Sequence, residues 1–181
     1  MNNLLLLIPA LPLLGFLING LGNKSVPRSA SGFIASAAVF VSFVISLMAF
    51  MHVSGSETQV LTDYYTWFKA GDMSLTFGFL VDRLSAIMLL VITGVGFLIH
   101  VYSIGYMSHE EDYPRFFAYL NLFVFFMLLL VMGSSYVLMF VGWEGVGLCS
   151  YLLIGFWFRN SAYNDAAKKA FVMNRIGDLG F

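Results

Sequence analysis

Charge is what this sequence has least of. Only 10% of its 181 residues are Asp, Glu, Lys or Arg, against roughly 25% in a soluble domain. So few charged groups cannot clothe a globular surface, and a disordered chain would need more of them. The net charge is −1 and the isoelectric point about 6.2, which leaves no basic footprint for DNA or RNA. A single cysteine, Cys149, excludes a disulfide within the chain and any cysteine-based zinc or iron–sulfur site. The sequence also lacks a glycine-rich phosphate loop, a dinucleotide fingerprint, a nucleophile elbow and a haem motif. Its three histidines, His52, His100 and His109, share no metal-ligand spacing. No cofactor and no metal is expected in this chain, and redox chemistry has no home in it. What is abundant is apolar: 60% of residues are hydrophobic and the mean hydropathy is +0.86. The class that remains is an all-α polytopic membrane protein.

A spanning helix needs roughly 20 mostly apolar residues. Such runs cover 4–22, 30–52 and 83–107. Between Phe116 and Phe158 the only formal charge is Glu144. One helix of that length would reach ~64 Å, twice the ~30 Å hydrocarbon core, so the run holds two spans. The break falls at its only cluster of small polar residues, Gly133-Ser134-Ser135, giving 115–133 and 136–158. A sixth span starts near Asn164 and is still running at Phe181. The expectation is about five complete transmembrane helices plus the start of a sixth, in one membrane domain that forms the N-terminal part of something longer. Met1-Asn2-Asn3 offers neither the basic flank nor the cleavage site of a signal peptide.

Lys and Arg set the orientation. Lys24, Arg28, Arg115, Arg159, Lys168 and Lys169 fall on one side, Lys69 and Arg83 on the other. The richer side is the cytoplasm or its equivalent, which places the N-terminus and the 53–82 loop outside. Within that loop Tyr64–Phe68 and Ser74–Leu80 are β-prone, separated by Lys69-Ala70-Gly71-Asp72. A small external β-hairpin is one reading; an aromatic belt lying on the headgroups is the other. Asp82 is placed to cap the following helix.

Few side chains here can do chemistry. Glu144 lies eight residues inside the fifth span, ~12 Å deep. An ionised carboxylate at a helix centre costs about 2.5–3.5 kcal/mol on insertion scales, so an intramembrane acid implies a proton relay, an ion site or a counter-ion. The bland alternative is an acid that only holds helices together. Its surroundings, Gly142-Trp143-Glu144-Gly145-Val146-Gly147, allow close helix approach. Glu144, Gly147, Tyr151 and Gly155 share one face, a stripe able to line a hydrated cavity. Arg175 and Asp178, three apart on the sixth helix, lie at comparable depth. They form either part of an intramembrane polar path or a pair that neutralises itself. His100, inside the third span, is a weaker candidate, since a lone histidine there is more often a packed, hydrogen-bonded residue than a relay. Glu110-Glu111-Asp112 reads as a solvated loop.

Three stretches carry a resemblance: Gly94-Val95-Gly96-Phe97-Leu98-Ile99-His100, Arg115-Phe116-Phe117-Ala118-Tyr119, and Gly142-Trp143-Glu144-Gly145-Val146-Gly147-Leu148-Cys149-Ser150-Tyr151-Leu152-Leu153-Ile154-Gly155-Phe156. Together they resemble the N-terminal part of the antiporter-like subunit L (mitochondrial subunit five) of proton-translocating NADH:quinone oxidoreductase, respiratory complex I. The similarity runs from Leu4 to Asp178. It implies a subunit of a redox-driven ion translocase, whose NADH, flavin, iron–sulfur clusters and quinone belong to other subunits. It also implies partners among the membrane-arm subunits, especially a neighbouring antiporter-like subunit, and no nucleic acid. The bacterial inner membrane is the implied location, with the mitochondrial inner membrane or thylakoid as alternatives. Glu144 matches the family acid that pairs with an intramembrane lysine on a later helix, and Arg175 and Asp178 match polar residues of its sixth helix. Two other readings share these features: the A-type subunit of a multisubunit sodium/proton antiporter, and a non-catalytic membrane scaffold.

Overall fold

The computed structural model describes residues 2–22, 26–55, 59–71 and 73–180. Lys24, Asp72 and Phe181, on which the topology count, the turn and the end of the sixth span partly rest, lie outside the described residues. The order of elements is α1 (Asn2–Leu21), α2 (Arg28–Gly55), β1 (Val60–Ala70), β2 (Met73–Val81), α3 (Arg83–Tyr106), α4 (Tyr113–Met132), α5 (Tyr136–Ile154) and α6 (Ser161–Asp178). The first five helices are long and apolar enough to cross a membrane. The chain is a multi-pass membrane protein. α6 differs: its 18 residues include Asp165, Lys168, Lys169, Arg175 and Asp178, too many charges for a lipid-facing span.

Helices α1 to α4 form a bundle. α1 packs on α2 and α4, α2 on α3 and α4, and α3 on α4. The seam of α2 is built from Ala35, Val39, Ser42, Ser46, Ala49 and Val53, all buried, at alternating spacings of three and four. Small residues on such a stripe let backbones come close. Leu5, Ile8, Val39, Leu89 and Leu128 fill the interior. α1 carries Pro9 and Pro12 in mid-helix. Pro12 has no N–H, so the Ile8 carbonyl loses its helical donor. The Ser42 hydroxyl of α2, 2.9 Å from that carbonyl oxygen, takes the donor's place. A carbonyl left bare in hydrocarbon would cost several kcal/mol, so this serine makes the proline tolerable.

The 53–82 region contains the hairpin, and β1 and β2 pair antiparallel from Val60↔Val81 to Ala70↔Met73, with two bulges that leave Tyr64 and Trp67 unmatched. Gly71 in the turn has φ +58°, a left-handed conformation that glycine reaches without strain. The hairpin does not stand alone. Phe79 bridges to Gly133 and the Ser134 amide donates to the Gly78 carbonyl at 3.1 Å. The strand thus extends onto the link between α4 and α5. Gly78 permits this approach, since a Cβ there would overlap the Asp63 carboxylate and lie 2.8 Å from Ser134 Oγ. Phe79 and Val81 are buried, while Tyr65, Trp67 and Phe68 are exposed. The hairpin reading and the aromatic face therefore coexist on one element.

The caps explain where helices start and stop. Asp82 Oδ1 accepts from the Ser85 amide at 2.7 Å and from the Ser85 hydroxyl at 2.6 Å, starting α3. Gly133-Ser134-Ser135 separates α4 from α5, and Ser135 Oγ accepts from the Leu138 amide. α5 stops at Ile154, capped by Gly155, four residues before the apolar run ends. Residues 155–159 form turns, stapled by Arg115, which donates to the Phe156 carbonyl at 3.3 Å and lies 5.1 and 5.0 Å from the rings of Phe156 and Phe158.

Candidate functional site: an intramembrane ion pair

Two glycines of α5 decide which way its polar residues point. A Cβ at Gly142 would lie 2.7 Å from the Leu130 Cα, and one at Gly145 would overlap the Phe126 ring. α4 therefore lies directly against these positions. That contact fixes the rotation of α5 and turns Trp143 and Glu144 away from the bundle.

The face that holds Glu144, Gly147, Tyr151 and Gly155 meets α6, which returns antiparallel after the Arg115-stapled turn. Gly155 lies against Ala167, where a Cβ on the glycine would be 3.3 Å from the alanine Cβ. Tyr151 meets Phe171 with ring centroids 5.6 Å apart. Glu144 forms an ion pair with Arg175. On α6 these partners recur every four residues, the helical repeat that keeps them on one face. Beside the ion pair, Trp143 Nε1 donates to Asp178 Oδ1 at 2.6 Å, and the Arg175 guanidinium lies 5.1 Å from the Phe171 ring. The stripe expected to line a cavity packs on α6 at Glu144, Tyr151 and Gly155, and Tyr151 and Gly155 also line a cavity of about 180 Å³ with Arg115, Tyr119 and Asn164. Gly147 is the exception, with open space in front of it.

The i,i+3 spacing of Arg175 and Asp178 admits a self-neutralising pair. Among the described residues no ion pair joins them. Each reaches across to α5, because the α5–α6 hairpin presents a carboxylate to Arg175 and an indole N–H to Asp178. The Glu144 side chain is 18% exposed and that of Arg175 50%. One partner is thus sheltered between the helices, and the other lies at the margin.

His100 belongs to a different place. It is buried in the bundle, its Nδ1 2.7 Å from the Gly96 carbonyl oxygen and its ring 6.1 Å from that of Phe117 on α4. The structure brings Glu144, Arg175 and Asp178 together with Trp143 and leaves His100 apart from them. Sequence reading passed over Trp143, although an indole donor next to an intramembrane acid is a usable signal.

This architecture and pair define a class: a polytopic membrane protein in which charged residues of two neighbouring helices pair. Two family models narrow it. Residues 67–117 match the N-terminus of chain 5 of NADH-ubiquinone oxidoreductase (complex I), and residues 133–181 match the transmembrane region of NADH:quinone oxidoreductase and Mrp antiporter proteins. Over 176 residues the chain is 47% identical to NADH-quinone oxidoreductase subunit L of Mycobacterium tuberculosis, covering 96% of this chain and 28% of that protein. It is 45% identical over 175 residues to NADH-ubiquinone oxidoreductase chain 5 of Chondrus crispus, covering 97% and 26%. Its fold matches a chain in the structure of the membrane-bound sulfane sulfur reductase, an archaeal respiratory membrane complex, with TM-score 0.82 at 17% identity, covering 96% of this chain and 34% of that one. The chain belongs to the complex I subunit L/chain 5 family. It spans about a quarter of the length of the relatives that it matches.

Proposed function

We propose that this chain contributes to proton translocation in the membrane arm of an NADH:quinone oxidoreductase, with redox chemistry confined to other subunits. The observation that carries the reading is the Glu144–Arg175 pair, held across two helices of a membrane domain. In that low-dielectric setting an isolated ionised carboxylate is expensive, and a partner cation offsets the cost. Such a pair is suited to switching. When Arg175 is close, the two charges offset one another; when the seam loosens, the carboxylate is free to meet another cation. The family's lysine on a later helix would compete with Arg175 for the same carboxylate, and Asp178, held by Trp143, is the next acceptor beside it. The orientation follows the Lys/Arg count, with the N-terminus and hairpin outside, in a bacterial inner membrane. The partners are other membrane-arm subunits, including a neighbouring antiporter-like one. The second family model names Mrp antiporters too, which supports an alternative reading as a sodium/proton antiporter subunit.

The test is Glu144→Gln in the protein as it occurs in its membrane. Glutamine keeps shape and hydrogen-bonding capacity, removes the charge, and should leave assembly intact. Acidification of vesicle lumens, driven by NADH and normalised to assembled protein, should fall by roughly tenfold or more, corresponding to at least ~1.4 kcal/mol. Wild-type acidification in the Gln variant would reduce Glu144 to a packing residue. Proton movement that needs a sodium gradient and ignores NADH would favour the antiporter reading.

A further inference from the structure

At the ends of α3 and α5 that point away from the hairpin, the chain encloses an open cavity of about 670 Å³. One wall is the α3–α4 link, with Glu110, Glu111 and Asp112. The other is the α5–α6 link and the first turn of α6, with Trp157, Arg159 and Tyr163. One side chain holds the two walls in place. Arg115 pairs with Asp112 at 2.9 Å on the first wall and donates to the Phe156 carbonyl at 3.3 Å on the second. Asp112 is thereby neutralised. Among the described residues, Glu110, Glu111 and Arg159 form no ion pair.

The cavity is therefore dipolar, with two carboxylates on one wall and a guanidinium on the other. α6 begins at Ser161, beside Arg159, and the partial positive charge of its N-terminus reinforces the positive wall. A simple anion would meet Glu110 and Glu111, and a simple cation would meet Arg159. A ligand with both signs suits both walls. Its setting says which. The spans α3, α4 and α5 end here, so the cavity lies at the level of lipid headgroups. Trp157 and Tyr163 are 41% and 46% exposed, and both are residue types that concentrate at that level. We propose that this cavity binds a zwitterionic phospholipid whose headgroup ends in a primary ammonium. The phosphate sits on Arg159 and the α6 N-terminus. The ammonium donates to Glu110 and Glu111, charge-assisted bonds that a neutral headgroup cannot make, and the faces of nearby rings favour a cation. The site uses neither Glu144 nor Arg175, so it stands or falls independently of proton translocation.

The test uses the full-length protein in its complex, stripped of lipid in detergent. Phosphatidylethanolamine with a photoreactive group next to its headgroup should label the 107–112 and 155–163 segments. Unlabelled phosphatidylethanolamine should compete for that labelling about fivefold better than phosphatidylglycerol, a difference near 1 kcal/mol. Glu110→Gln/Glu111→Gln should abolish the preference, so that the two lipids compete equally. Arg159→Gln should weaken both, because both carry the phosphate. None of these changes touches Arg115, which holds the walls. Equal competition on the unmodified protein, labelling confined to other segments, a preference that survives in the double variant, or unaltered binding in Arg159→Gln would each overturn the site. Should a variant fail to assemble, the comparison of the two lipids on the unmodified protein decides.

Discussion

The α1–α4 bundle and the α5–α6 pair both place polar groups in a membrane and satisfy them by opposite means. In the bundle the polar groups are neutral and local. Ser36, Ser46, Thr93, Asn19 and Asn121 each donate to the carbonyl four residues back, and Ser42 reaches across to repair a proline defect. Such bonds have a single arrangement. In the α5–α6 pair the groups at the centre are charged or strongly dipolar, and Glu144 with Arg175 and Trp143 with Asp178 pair across the two helices. Here one charge can leave and another take its place. The glycines sort the two regions: Gly142 and Gly145 bind α5 to the rigid bundle, and the opposite face of α5 is left for the pair.

That contrast can be broken most severely at Gly145. Leucine there would strike the Phe126 ring and, through the helix, the Leu130 backbone next to Gly142. Overpacking of a tight core typically costs ~1–3 kcal/mol and sometimes more, so Gly145→Leu should sharply reduce the yield of assembled protein. Gly147→Ala, two residues on and facing open space, should leave yield and stability unchanged. Equal damage from both would show that α5 is not oriented by α4. Next in size is Ser42→Ala, which strips the Ile8 carbonyl of its substitute donor. Measured interhelical hydrogen bonds in membranes average ~0.6 kcal/mol and reach ~1.7; the repair of a proline defect should lie near the top of that range, read as a fall in unfolding temperature. The smallest effect belongs to the α3 cap. Hydrogen bonds from the Ser85 hydroxyl and amide hold the Asp82 carboxyl below the usual carboxylate range. A lowered value in the folded state means that the cap contributes above the unfolded carboxylate's value and is lost as pH falls through the folded one. Asp82→Ala should therefore cost about 0.5–1 kcal/mol at neutral pH and progressively less in acid. A deficit that grows as pH drops would contradict the cap.

Much of this was legible in the residues. Hydropathy and length located five apolar helices, Gly133-Ser134-Ser135 marked the break that a 43-residue run required, and Asp82 announced its cap. Glu144 stood out because an acid in such a run has no inexpensive explanation. What the sequence obscured were relations between elements. The spacing of Arg175 and Asp178 is compatible with a pair on α6, and only the return of α6 along α5 shows that both look outward to Glu144 and Trp143. The shared face from Glu144 to Gly155 was correctly grouped, but the residues alone did not show that Ala167, Phe171 and Arg175 of α6 would pack along it. His100 looked like a candidate by virtue of depth, and tertiary packing placed it with Phe117 instead. Nor could composition reveal that Ser134 would join the hairpin to the α4–α5 link, since that contact depends on Gly78 having no side chain.

The central claim is that Glu144 and Arg175 act as one unit, and a mutant cycle tests it directly. Ion translocation per assembled protein would be measured for Glu144→Gln, Arg175→Met and the double variant. Arg175→Met should be the most damaging for assembly, because removing one partner of a buried pair leaves a bare charge, at ~3–5 kcal/mol; its half-exposed position brings this to the lower end. The double variant should assemble better than Arg175→Met and translocate no worse than Glu144→Gln, since members of one unit give non-additive losses. Losses in translocation that multiply across the two sites, with no rescue of assembly in the double variant, would show that the two residues work apart and would contradict the account.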